Sequence, residues 1–230
     1  HEKVVEQLLL SPSTTDVSCM PHETEQIHQS LNITPCLSNT NDIVNQSNGS
    51  WLFSDVTQAT GLEKGNRRHS LAASWEDYDN DGDQDLYVAN DYGPNWLCRN
   101  EGGHFVNVAD QLAVTDFGSG MSTSWGDYNR DGWMDLYVGN MFSSAGNRIT
   151  RQRQFRPDQD EATRATYTRF AKGNSLFANT GDKFEEVGAT AAVEMGRWAW
   201  SSLFVDLNND GWEDILVANG YLTTDDTGDL

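Results

Sequence analysis

The chain has 230 residues, 37% of them hydrophobic and eight of them Trp, which is enough material for a buried core. Its formal net charge is −20, so we expect no nucleic-acid partner, because phosphate contacts need a clustered basic surface. No apolar run approaches the ~18 residues of a membrane-spanning helix, so we expect no membrane insertion.

The first 47 residues differ in character from the rest of the chain. Residues 1–47 are rich in Ser, Thr, Asn and Gln, which predicts a polar segment or linker, or else part of a repeat unit. An apolar run near the start favours one short helix within residues 2–10. Cys19 and Cys36 either pair with each other or stay free, and Cys98 is predicted to be a buried thiol in a strand.

A nine-residue pattern of oxygen-bearing side chains then occurs three times, each time around an Asp-Gly step. Carboxylates or amides stand at positions 1, 3, 5 and 9, glycine at position 6 allows a sharp turn, and position 7 offers its backbone carbonyl. Calcium takes six to eight oxygens at about 2.3–2.6 Å, so each loop is predicted to hold one Ca²⁺, about three ions in all. The predicted ligands are Asp77, Asp79, Asp81, Asp83 and Asp85 in loop 1, Asp127, Asn129, Asp131, Trp133 and Asp135 in loop 2, and Asp206, Asn208, Asp210, Trp212 and Asp214 in loop 3.

Two alternatives to these hairpin calcium loops fit the sequence less well. An EF-hand needs Glu at position 12 and a following helix, but position 12 is Val88, Val138 or Val217, within a run that is typical of a strand. The other alternative is three Asx-rich turns without metal. Clustered carboxylates repel one another unless a cation neutralises them, which favours the metal.

The repeat extends beyond the loops and predicts an all-β protein. Apolar runs at residues 71–75, 121–125 and 198–204 precede the loops, and runs at residues 86–90, 136–140 and 215–219 follow them. Segments with Asn, Gly and Phe-x-x-Val occupy residues 48–56, 100–108 and 179–187. Each unit therefore predicts four short antiparallel strands, which is the blade of a β-propeller, and the chain as a whole predicts eleven strands.

The spacing of the loops locates an insertion. The second loop starts 50 residues after the first, but the third starts 79 residues after the second. The surplus, residues 141–172, holds seven of the 15 basic residues, and its acids precede its bases, which predicts a short helix there. The insertion is either a basic lid that balances its own acidic barrel or a loop that docks a partner.

Catalytic motifs are lacking in this sequence, so we expect no enzyme activity. His22 and His28 flank a segment similar to a zinc-protease helix, but Gln26 stands where the second histidine is required. The sequence also contains no Gly-x-Ser-x-Gly elbow and no phosphate-binding Gly-x-x-x-x-Gly-Lys loop.

Taken together, these motifs resemble a known family. The run Ser-Trp-x-Asp-Tyr-Asp-Asn-Asp-Gly-Asp-x-Asp-Leu-Tyr-Val-Ala-Asn and the stretch from Asn140 to Arg148 are similar to the FG-GAP/VCBS repeats of the cartilage acidic protein and UnbV-type (ASPIC) family. The resemblance covers residues 49–221 and makes residues 48–230 the repeat domain. It implies a secreted or surface-located, integrin-like propeller with calcium in the first hairpin of each blade. Asn at position 3 in two loops implies that loop 1 binds calcium most tightly.

Two functions fit these expectations. The favoured one is a calcium-binding, non-enzymatic interaction or adhesion scaffold whose protein or carbohydrate partner the sequence does not identify. The alternative is an accessory propeller region of a larger exported enzyme such as a hydrolase. Loops that lack the position-12 Glu are expected to bind calcium at ~10⁻⁴–10⁻³ M, which places the protein outside the cytoplasm, as a secreted, periplasmic or cell-surface protein.

Overall fold

A computed structural model of the chain describes the backbone of residues 6–8, 44–45, 51–52, 55–64 and 68–219, and the side chains of residues 55–64 and 68–219. Cys19 and Cys36 lie outside these residues. The described part is mostly β, with antiparallel four-stranded sheets and few helices, so the predicted fold class is confirmed. The division at residue 47 stays a prediction.

Two complete four-stranded units follow one another, and in each the strands pair in sequence order with antiparallel neighbours. We call them blade 1 and blade 2. Blade 1 comprises β4 (His69–Glu76), β5 (Asp85–Asp91), β6 (Trp96–Asn100) and β7 (Phe105–Asn107). Blade 2 comprises β8 (Gly120–Gly126), β9 (Asp135–Asn140), β10 (Ser175–Asn179) and β11 (Phe184–Glu186).

A third unit, blade 3, has two antiparallel strands, β12 (Ala199–Val205) and β13 (Asp214–Asn219). The strand β1 (Glu6–Leu8) runs parallel to β13 on its outer edge. The predicted helix over residues 2–10 is therefore wrong, because the free N–H and C=O groups along the edge of β13 offer this segment a strand partner.

One hairpin precedes blade 1. Its strands β2 (Val44–Asn45) and β3 (Trp51–Leu52) pair antiparallel. The structure thus has thirteen strands in its described part, against the eleven predicted, because both β1 and β2 lie in the polar segment that showed no alternating pattern.

The hydrophobic core lies between the blades. One cluster joins Tyr87 and Leu97 of blade 1 to Leu136 and Phe184 of blade 2, and Trp125 packs edge-on against Tyr87 with 6.2 Å between ring centroids. A second cluster joins blade 2 to blade 3. β5 and β9 are buried along almost their whole length because a neighbouring element covers each of their faces.

A short turn after the fourth strand also repeats, and the sequence analysis missed it. The N–H groups of Thr60, Leu112 and Ala191 donate to the carbonyl four residues earlier, which belongs to a valine in every case. The carbonyls of Thr60 and Leu112 in turn accept the N–H of the phenylalanine that starts the fourth strand of the next blade, both at 2.8 Å. The last of these turns contains α3 (Gly188–Ala191).

The insertion forms two helices, α1 (Ser144–Thr150) and α2 (Glu161–Lys172). The predicted short helix is confirmed as α2, whose N-terminus is capped by the Asp160 carboxylate accepting the Thr163 N–H at 2.8 Å. Free Cys98 is buried in β6, as predicted.

Candidate metal centre

The three acidic loops occupy equivalent places in the fold. Each joins the first strand of its blade to the second, so all three emerge at the same edge of the blades. The loops also contact one another. Asn80 in loop 1 donates to the Gly132 carbonyl of loop 2 at 3.2 Å, and the Arg130 guanidinium of loop 2 lies 4.5 Å from the ring centroid of Trp212 in loop 3.

The three loops also share one internal hydrogen-bond pattern. The position-1 carboxylate accepts the N–H groups of positions 5 and 6, at 2.8–3.1 Å, and the position-5 carboxylate accepts the N–H of position 7, at 2.8–3.0 Å. These bonds fold each loop into a narrow cup and use both oxygens of the position-1 carboxylate. In loop 2 the second oxygen of Asp131 also accepts a hydrogen bond, from the Asn129 amide at 2.8 Å. The position-1 residues are Asp77, Asp127 and Asp206.

Two residues in each loop have left-handed backbone conformations. Glycine at position 6 has φ between +83° and +94°, as its predicted role requires. Position 4 also has positive φ, at 57° to 62°, in Asn80, Arg130 and Asn209. Asn tolerates this region well, whereas Arg130 pays a steric cost there, and the contact of its side chain with Trp212 offsets that cost.

Loop 1 contains the strongest acidic cluster. Carboxylate oxygens of Asp77, Asp79 and Asp85 all lie within 4.8 Å of one another. Oxygens that bind one calcium ion at about 2.3–2.6 Å cannot be more than about 5 Å apart, so these three atoms fit a single ion. Loops 2 and 3 have Asn129 and Asn208 in place of the second acid, and an amide oxygen is a neutral calcium ligand.

The position-9 aspartates of blades 1 and 2 are held in the same way. One oxygen of Asp85 accepts the Asn100 N–H at 2.7 Å, and one oxygen of Asp135 accepts the Asn179 N–H at 2.8 Å. The second oxygen of each is buried without a hydrogen-bond partner. Burial, with a smaller contribution from neighbouring loop carboxylates, raises the pKa of both carboxyls to about 7. A cation at this point would satisfy the unpartnered oxygens and remove the repulsion.

In loops 1 and 2 the position-7 side chains lie toward the third turn of their own blade. The Trp133 ring lies against Gly181, where an added Cβ would come within 2.9 Å of the ring. Asp83 interacts with the Gly102 N–H, and burial raises the pKa of its carboxyl. This placement is compatible with the predicted role of position 7, which requires only the backbone carbonyl.

Loop 3 shares one contact with the other two loops and differs from them in burial. The Oδ2 of Asp214 accepts the N–H of Leu207, at position 2, at 3.2 Å, and each of the other two position-9 carboxylates likewise interacts with the N–H at position 2 of its own loop. Asp214 is only half-buried. The segment that would correspond to Asn100 and Asn179 lies beyond residue 219, outside the described residues.

A buried carboxylate on the opposite edge of the blades escaped the sequence analysis. Asp116 accepts hydrogen bonds from Ser175 at 2.8 Å and Asn140 at 3.0 Å, and it pairs with Arg169 of α2 at 2.6 Å. Burial alone would raise the pKa of Asp116, but Arg169 and these donors hold it below its usual value. The network ties the insertion to the blade, and only the isolated Asp in a Thr-Asp-Phe-Gly stretch signals it in the sequence.

The fold and the loops together define a protein built from propeller-type repeats with acidic, oxygen-rich hairpins. A family model for the FG-GAP-like repeat matches residues 77–138 and 165–217, which together make up half of the chain. The chain belongs to the FG-GAP-like repeat family. Residues 139–164, most of the insertion, lie between the two matches. No curated protein matches the chain significantly.

Among the residues that the structure describes, no helix is long and apolar enough to cross a membrane.

Proposed function

We propose that this chain is a calcium-stabilised, non-enzymatic interaction scaffold of the cartilage acidic protein and UnbV type, acting outside the cytoplasm. The observation that carries the proposal is the convergence of three carboxylates in loop 1 around oxygens that have no hydrogen-bond partner. A protein that buries such groups in equivalent loops gains stability when a cation neutralises them.

The proposed ligands are the side chains at positions 1, 3, 5 and 9 and the backbone carbonyl at position 7 of each loop. Calcium bound there would act structurally, since it would fix the first hairpin of each blade and leave the opposite edge to contact partners. The stretch from Ser143 to Arg148, which resembles the UnbV-type proteins, forms the N-terminal cap and most of α1 on that opposite edge.

Thermal unfolding with excess calcium and with a chelator tests the proposal. At free calcium about 50-fold above Kd, each site contributes roughly 2 kcal/mol. Three sites should then raise Tm by roughly 15–25 °C in a domain of this size. Magnesium at the same concentration should have a much smaller effect, because it demands a tighter octahedral site. A Tm that is unchanged by the chelator would contradict the proposal.

Calcium titration by calorimetry tests the location outside the cytoplasm. We expect a Kd of ~10⁻⁴–10⁻³ M, which would leave the loops empty at cytosolic calcium. A submicromolar Kd would remove the reason for placing the protein outside the cytoplasm, while leaving the metal sites themselves intact.

A further inference from the structure

A groove runs along the insertion, on the edge of the blades opposite the acidic loops. It consists of two adjoining cavities of about 530 Å³ and 400 Å³, with Arg151 and Lys172 contributing to the walls of both. These volumes fall within the range of ligand-binding clefts. The larger cavity lies between α1 and α2, and the smaller one lies between α1 and the loop that contains Met195.

Two of the cations in this groove are already neutralised. Lys172 pairs with Glu194 at 2.7 Å and Glu186 at 2.9 Å, and Arg169 pairs with the buried Asp116 at 2.6 Å. These ion pairs tie the insertion to acids of its own chain. These ion pairs fix α2 on the blade and so hold the groove open in one shape.

Three arginines of the groove are not neutralised. Within residues 55–64 and 68–219, Arg148, Arg151 and Arg164 form no ion pair, and the Nε of Arg164 is buried without a hydrogen-bond partner. Among the described residues no carboxylate lies within ion-pair distance of these guanidinium groups, although Glu161 lines the larger cavity with two of them. Planar guanidinium groups suit carboxylates, which they bind through two parallel hydrogen bonds.

The smaller cavity adds an apolar surface to this cationic one. Phe142 and Met195 line it next to Arg148, and Met195 is 55% exposed. A sulfate, a phosphate or a sulfated sugar would use the arginines but would leave the two apolar side chains in water. A polypeptide with acidic side chains beside one large apolar side chain would use both surfaces.

We propose that the groove between α1, α2 and Met195 binds an acidic segment of a partner protein, with its carboxylates on Arg151 and Arg164 and an apolar side chain against Phe142 and Met195. This inference rests on the proposed scaffold role and names the chemistry of the partner. It concerns the edge opposite the metal loops. The effect of calcium on Tm and the peptide binding described next therefore test the two proposals separately.

Fluorescence anisotropy with a labelled peptide of sequence Glu-Asp-Glu-Leu-Asp-Glu tests the proposal, at 0.15 M salt and saturating calcium. Replacing one guanidinium that pairs with a carboxylate should weaken binding about tenfold. We therefore expect Arg151→Ala and Arg164→Ala to bind about tenfold more weakly than the unaltered chain. Arg153→Ala is the matched control, because Arg153 is an exposed arginine of the same insertion that lines neither cavity.

Binding that falls equally in all three variants would show a general charge effect and overturn the proposal, as would no binding at millimolar peptide. A second peptide with Ser in place of Leu should bind severalfold more weakly. Equal binding of the two peptides, or equal affinity for a heparin hexasaccharide, would overturn the assignment to a protein segment. Arg151 is exposed, so its variant should keep its Tm and stay interpretable even if Arg164→Ala unfolds.

Discussion

Loops 1 and 2 differ from loop 3 in how deeply the last carboxylate is buried, which their similar sequences do not show. All three end in Asp at position 9, but Asp85 and Asp135 are buried and accept a backbone N–H of the third strand, whereas Asp214 is half-buried. The proposed ligands can be identified from the nine residues of the loop alone. How firmly the last ligand is held depends on a strand that lies about 15 to 44 residues away in sequence.

The largest effect that follows from this burial is a pH dependence of the stability that calcium should largely remove. The pKa of Asp85 and Asp135 is about 7 in the folded protein and about 4 in an unfolded chain. The folded state therefore holds protons that the unfolded state releases, so without calcium the stability should fall as pH rises from about 4 to 7.

Calcium binds the ionised carboxylates and so lowers their pKa in the folded protein. Calcium in large excess over Kd should therefore remove most of this fall, and the stabilisation that calcium adds should grow as pH rises. Chemical denaturation at pH 5 and pH 7.5, in calcium and in chelator, measures both slopes. The double variant Asp85→Asn/Asp135→Asn should lose most of the pH dependence in chelator. A variant with unchanged slopes would show that other groups cause the effect.

The next largest effect is a difference in Tm between single Asp→Asn changes at position 9 of the three loops. In calcium, Asp85→Asn or Asp135→Asn should each cost roughly 2 kcal/mol, or about 4–8 °C in Tm, because one site is lost. In chelator the same variants should melt at or above the Tm of the unaltered protein, since a buried carboxylate without a partner has been removed.

Asp214→Asn is the matched change in loop 3 and should have a smaller effect in both conditions, because its carboxylate is less buried. Differential scanning fluorimetry of the three variants provides the comparison. An equal loss for all three in calcium would mean that the burial of the position-9 carboxylate does not affect calcium binding.

The third strand itself can be tested through Asn179. Its side chain is buried and donates to the Tyr78 carbonyl beside loop 1 at 2.8 Å, so it joins blade 2 to the neighbouring loop. Asn179→Ala should cost roughly 1–3 kcal/mol, because it leaves a carbonyl of loop 1 without its donor. Asn100→Ala is the control, since the Asn100 side chain bonds only within blade 1 at Gln84 and Gly103. Equal Tm losses would argue against a link between the blades.

The smallest effect concerns the contact between loops 2 and 3. Arg130→Ala should reduce the stability in calcium by about 0.5–1 kcal/mol, because the cation–π contact with Trp212 is lost. Arg130→Lys should retain part of it. A double-mutant cycle with Trp212→Ala isolates the pair, and an interaction energy near zero would show that loops 2 and 3 behave independently.

The sequence predicted the features that repeat with fixed spacing. Loop positions and the flanking strands follow from the period and from turn glycines such as Gly82, and the helix α2 follows from the acids that precede the bases in the insertion. The metal ligands at loop level were proposed from residue type and position alone, and they stay a prediction that the carboxylate cluster in loop 1 supports.

The rest depends on contacts between residues far apart in sequence. β1 joins β13 across some 200 residues, and a parallel edge pairing leaves no local pattern. Asp116 gains its role only from Arg169, Ser175 and Asn140, which the fold brings together from three other segments. The left-handed conformation of Arg130 was equally hidden, since Arg rarely adopts it and no turn rule requires it at position 4.

The buried thiol of Cys98 can be used to measure how often blade 1 opens. Burial raises the pKa of this group to about 12, so in the native state it is both inaccessible and almost wholly protonated. In a variant with Cys19 and Cys36 replaced by Ser, an aromatic disulfide reagent could label the chain only when the blade opens. The labelling rate would then measure how often the sheet next to loop 1 opens locally. It would also show how far a bound ion slows this opening, without any introduced dye.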